Sequence, residues 1–155
     1  GKLCAALDRQ HPRDLFDVSL LLGDPDDGDL MKGFVAMLLS HNRPAHELLA
    51  PIRKDQSATF RREFSGMTEL PFAYEDHERT FDALLSFIRK RIGPYRDLLM
   101  AFFSLSTDLP EAGIPNFGAL PAIQWKRRNL ETLRTANPAK FAEQTDLLRE
   151  VLEYR

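Results

Sequence analysis

An all-α fold, a bundle of about seven to nine helices opening with a short helical hairpin, is what this sequence predicts. Three observations carry the prediction. Apolar residues recur at three- and four-residue spacing in segment after segment, as in helices that bury one face. Ten prolines and eight glycines punctuate the chain, and most fall between those segments. No stretch reads as a convincing strand, and there is no internal repeat or low-complexity tract.

The length of 155 residues suits one domain, 1–155, with the hairpin over 1–22 and the bundle over 29–155. A net charge of −2 gives no global attraction to nucleic acid or to a membrane surface, so any nucleic-acid contact must come from a local basic face. The longest apolar run, Leu98 to Phe103, is far short of the roughly 20 residues of a membrane span. With no signal peptide in view, the expected location is the cytoplasm. The single cysteine, Cys4, excludes an internal disulfide; lying among Leu3, Ala5 and Ala6, it reads as a small core residue.

Taken in order, Lys2 to Arg9 should form the first helix, rich in Leu and Ala with no β-branched residue to oppose it. His11-Pro12 breaks it, because proline lacks an amide donor and pushes its predecessor out of helical geometry. The second helix runs from about Arg13 to Leu22, stopped by Gly23 and Pro25. Pro25-Asp26-Asp27-Gly28 reads as an acidic turn that starts a helix. It fails as a calcium loop, since the position that needs glycine holds Asp29 and the last ligand position holds Val35. A helix over about Asp29 to His41 places Leu30, Phe34, Met37, Leu38 and His41 on one face, with Met31 and Met37 as core fillers.

A short helical turn follows between Pro44 and Pro51; His41 and His46 lie five apart, which is not the helical zinc-ligand spacing. Phe60 and Phe64 define a short helix ending at Gly66 with Arg61 and Arg62 outward, and residues 67–72 connect in extended form. From Tyr74 to about Ile92 a longer helix carries Phe81, Leu84, Leu85 and Ile88 at core spacing, and Gly93-Pro94 ends it. Leu98, Leu99, Phe102, Phe103 and Leu105 cover so much of the next helix that it must be central. Residues 108–120 read as a loop packed by its own Ile114 and Phe117. Pro121 opens a helix to about Thr135, and Asn137-Pro138 starts the last one, with the stripe Phe141, Leu147, Leu148, Val151 and Leu152.

The charges of the opening hairpin are the main chemical signal. Lys2, Ala6 and Arg9 share a face of the first helix; Asp14, Asp17 and Leu21 share a face of the second. If the two fold back antiparallel, a rise of ~1.5 Å per residue sets Asp14 level with Arg9 and Asp17 within a turn of Lys2. Two cations and two carboxylates then meet beside a seam of Leu3, Leu7, Leu15, Val18 and Leu22. By charge pattern this is either a salt-bridge clasp or the wall of a site. A second candidate is Trp125 with Lys126, Arg127 and Arg128, which is either a core tryptophan beside a solvated cationic face or an aromatic and basic clamp for RNA. Arg89-Lys90-Arg91 sits where positive charge suits a helix C-terminus regardless of function.

Lys2, Leu3, Ala6, Arg9, Arg13, Asp14 and Asp17 together resemble the lysine and arginine–aspartate motifs of the AbiEii/AbiGii nucleotidyltransferase toxins of abortive-infection (phage defence) and toxin–antitoxin systems. Arg43-Pro44, Glu47-Leu48-Leu49, Gly66-Met67-Thr68 and the stretch from Ile114 through Trp125 to Leu130 are similar to the same family. The resemblance implies Lys2, Asp14 and Asp17 as catalytic residues, with Lys2, Arg9 and Arg13 holding the nucleoside triphosphate. It also implies Mg²⁺ and a nucleoside triphosphate in the full-length enzyme, and RNA, expected to be tRNA, as acceptor. An antitoxin would be encoded nearby, without direct contact being implied. The family's Gly-Ser motif and paired acids precede the lysine, so the chain resembles a C-terminal portion with no metal ligands of its own, inactive alone. The alternative is a non-catalytic interaction module, dimerising through an exposed apolar face.

Overall fold

A computed structural model describes residues 1–22, 27–111, 113–114 and 116–153, with backbone only at 27 and 28. The expected acidic turn and the Gly23-Pro25 stop therefore lie largely outside the described residues. Within the described residues the fold is all-helical, with nine helices and no strand. They are α1 (Lys2–Arg9), α2 (Pro12–Leu21), α3 (Asp27–Ser40), α4 (Ala45–Leu49), α5 (Ser57–Thr59), α6 (Tyr74–Arg91), α7 (Arg96–Phe103), α8 (Pro121–Ala136) and α9 (Pro138–Glu153).

Local chemistry explains the boundaries that position the site. Proline at the first position of α2 needs no hydrogen-bond acceptor there, and the His11 ring accepts the Arg13 amide at 3.3 Å as an N-cap. The helix α6 opens where Asp76 reaches back to accept the Ala73 amide at 2.8 Å. After α5 the backbone widens into a π-helical turn, Phe60–Phe64, closed by the Ser65 amide on the Phe60 carbonyl at 2.9 Å. That widening turns both Phe60 and Phe64 inward, while Arg61 and Arg62 stay exposed as expected. Gly66 leaves the turn at φ 82°, a conformation that costs any side chain strain. Gly66→Ala should lower stability by about 1 kcal/mol in a urea titration, although no atom crowds the new Cβ.

One contiguous apolar cluster draws on α1, α2, α3, α4, α6, α7, α8 and α9, and α7 lies within it as its composition demands. Leu98, Leu99 and Phe102 are sealed from solvent, and the Phe102 and Phe103 rings meet edge to face at 5.2 Å. Ile114 and Phe117 pack partly against this cluster, as the loop reading expects. Two apolar assignments change. Met37 is 40 % exposed, and α3 buries Met31, Phe34, Val35, Leu38 and Leu39 instead, while His41 falls beyond the helix. Leu147 is exposed, and α9 turns Thr145, Leu148 and Leu152 inward. In each helix both members of an adjacent apolar pair, Met37 with Leu38 and Leu147 with Leu148, are expected on the buried face, but neighbours stand about 100° apart on the wheel and only the second of each is buried.

Candidate functional site: the charged hairpin

The α1–α2 hairpin folds antiparallel on the seam expected of it: Leu3, Leu7, Leu15 and Val18 are buried and Leu22 half-buried. Across this seam the Lys2 ammonium is ion-paired with Asp17. Arg9 donates to Asp14 Oδ1 at 2.8 Å. These are two separate pairs, because Lys2 and Arg9 are seven residues, or roughly 10 Å of helix, apart. Arg13, exposed on the hairpin-turn side of Asp14, enters no ion pair among the described residues.

The pairs are asymmetric. Lys2 and Arg9 keep 61 % and 64 % of their side chains exposed, whereas Asp17 and Asp14 keep 28 % and 12 %. The cations thus form the outer layer and the carboxylates the inner one. Asp14 carries an anomaly as well: its Oδ2 is buried with no hydrogen-bond partner among the described residues. A buried acceptor without a donor within the chain is costly to the fold.

Two supports hold the hairpin at this angle. On the far side of α2, Phe16 packs against Phe64 at 5.6 Å and Phe72 at 5.3 Å, tying α2 to the π-helical turn. At the hairpin turn Gln10 adopts φ 56°, unusual for a residue with a side chain, and is held from four directions. Its amide bonds the Ala6 carbonyl, its Nε2 bonds the Ile52 carbonyl at 2.7 Å, and its Oε1 accepts the Lys54 amide at 2.8 Å. Its own carbonyl meets Nε2 of the buried His77 at 3.1 Å. Neither Gln10 nor His77 stood out in the sequence, since their partners lie 42 to 67 residues away.

The second candidate is rearranged. The reading of Trp125 as a core residue beside three solvated cations is corrected: Trp125 is 61 % exposed, while Lys126 is buried. The Lys126 ammonium donates to the carbonyls of Asn42 and Arg43 at 3.3 and 3.2 Å, closing the chain where α3 has ended. Desolvation lowers its pKa. Arg127 donates to the Ser106 carbonyl at 2.6 Å. Of the four residues, only Trp125 and Arg128 have exposed side chains that make no polar contact within the described residues. Cys4 is buried against α3, its thiol facing the Phe34 carbonyl at 3.9 Å, as a core residue should be.

No helix among the described residues is long and apolar enough to cross a membrane. A family model described as nucleotidyl transferase AbiEii toxin, type IV toxin–antitoxin system, matches residues 1–90. That span holds the whole hairpin and its two supports, whereas the likeness over 114–130 lies outside it. No curated protein and no solved structure matches the chain. Nucleotidyl transferase chemistry implies a nucleoside triphosphate and a divalent cation, and a toxin–antitoxin system implies an antitoxin. The described residues of this chain do not fit the cation: no three His, Cys, Asp or Glu side chains cluster to hold one, and Asp14 and Asp17 each already face a cationic side chain. Its match spans more than half its length, and the chain belongs to the AbiEii nucleotidyl transferase toxin family of type IV toxin–antitoxin systems.

Proposed function

We propose that this chain is the C-terminal helical portion of a nucleotidyl transferase toxin, and that its hairpin forms one wall of the nucleotide site. The reaction would move a nucleotide from a nucleoside triphosphate to RNA, with tRNA as the expected acceptor, releasing pyrophosphate. The observation that carries the reading is the layering of the hairpin: exposed Lys2 and Arg9 lie over the less exposed Asp17 and Asp14. Lys2 is a compact charge suited to phosphate oxygens, and Arg13 adds an exposed guanidinium beside Asp14 at the turn end of the hairpin.

Arg9, nearly two-thirds exposed, is able to swing onto a phosphate. That movement would open Asp14 Oδ2 to a hydroxyl or amine donor of the nucleotide. Asp17 would hold the Lys2 ammonium at its station. Catalysis of this kind works by positioning and charge stabilisation more than by covalent chemistry, which suits a wall of fixed charges on two braced helices. The carboxylates that carry the divalent cation would come from sequence preceding Lys2.

The reading is tested by titrating a nucleoside triphosphate into the full-length enzyme. Lys2→Ala should weaken its affinity about tenfold, the value of one charge-assisted contact to phosphate. An unchanged dissociation constant would remove Lys2 from the site.

A further inference from the structure

We propose that a groove on the other side of the bundle, formed by α8, α9 and the segment after α3, binds one unpaired nucleotide of an RNA strand with its base stacked on Trp125. The groove encloses about 380 Å³. Its apolar floor is Leu130 and Leu133. Around that floor stand Trp125, Asn42, Asn129, Gln144 and Lys140.

The chemistry of these groups selects the occupant. The indole is 61 % exposed beside a concave surface, although burying it would favour folding. The side-chain amides of Asn42, Asn129 and Gln144 make no hydrogen bond within the described residues, and the Lys140 ammonium has no partner there. Three free amides around an aromatic face are what the hydrogen-bonding edge of a base requires, since an amide both donates and accepts. Lys140 and Arg128, one helical turn beyond Trp125, supply charge for a phosphate. The one acid lining the groove, Glu47, is already paired with Arg43 at 2.9 Å. A helical partner, ~10–12 Å across with its side chains, calls for a longer and more apolar trough. A nucleotide is the occupant that matches both size and polarity. The choice of RNA as its source rests on the proposed transfer; the choice of a nucleotide rests on the groove.

Trp125 is the only tryptophan of the chain, so its emission reports on this groove alone. In the 155-residue chain, a single-stranded hexaribonucleotide should quench that emission saturably and at lower concentration than ATP, which offers the groove one nucleotide and no flanking strand. With fluorescently labelled RNA followed by anisotropy, Trp125→Ala should weaken binding about tenfold, Trp125→Phe should restore most of it, and Lys140→Gln should flatten the salt dependence. Quenching that is absent, equally strong with ATP, or produced by a protein partner with RNA inert overturns the proposal. So does an RNA affinity unchanged in Trp125→Ala. The two readings fail separately: triphosphate affinity unaffected by Lys2→Ala, with RNA quenching intact, removes the hairpin assignment and leaves the groove.

Discussion

Asp14→Asn in the full-length enzyme is expected to cut nucleotidyl transfer at least about hundredfold while leaving stability within about 1 kcal/mol. The two halves of this expectation come from the same carboxylate. Asp14 Oδ1 accepts from Arg9, but that guanidinium is 64 % exposed, so the pair contributes at most about 1 kcal/mol. Oδ2 is buried with no donor among the described residues, which works against folding. Asparagine has the same shape, keeps an acceptor toward Arg9 and removes a charge that the fold does not need. A carboxylate that gives so little to stability is free to be substituted without unfolding the chain, so a loss of transfer would report on the proposed site. Transfer to RNA measured beside a thermal melt checks both halves. Unaltered transfer refutes the assignment, and a melting point lowered by many degrees makes Asp14 a structural residue instead.

The hairpin was legible because its information is local. Charges three and four apart share a helix face, and a fixed rise per residue sets Asp14 opposite Arg9 once Pro12 forces the turn. Helix boundaries were legible for a similar reason, as at Pro121 and Gly93. Rotation about a helix axis was harder. Trp125 and Lys126 are neighbours about 100° apart, and composition favours burying the indole. The fold reverses this because Lys126 satisfies two backbone carbonyls that α3 leaves behind at its end. Nothing within ten residues of Lys126 announces those carbonyls. Gln10 is the same case at the site itself: a glutamine at a positive φ is explained only by Ile52, Lys54 and His77 arriving from elsewhere in the chain. Hence the charged face could be read from the sequence, while the scaffold that orients it could not.

The remaining large effect is alkaline loss of stability through Cys4. The thiol is 2 % exposed where α1 packs on α3, and burial pushes its pKa up from 9.0 to about 11. In the unfolded chain the thiol ionises near its ordinary value, so between pH 9 and 11 the unfolded state releases a proton that the folded state retains. The folded pKa is the higher of the two; the stability it contributes is therefore complete below pH 9 and is lost as pH rises through 11. Two units correspond to about 2–3 kcal/mol, a large share of what holds a domain this size together. Urea titrations at pH 8, 9, 10 and 11 under reducing conditions should show that decline in the parent chain. Cys4→Ala should start about 1 kcal/mol lower, from the lost packing, and then fall less steeply over the same window. Other groups titrate there too, including Lys126, whose lowered pKa acts in the opposite direction, but they are common to both proteins and cancel in the difference. Parallel curves for the two proteins would mean that the thiol ionises without opening the α1–α3 contact, and the hairpin would then be held by its polar turn at Gln10 more than by its seam.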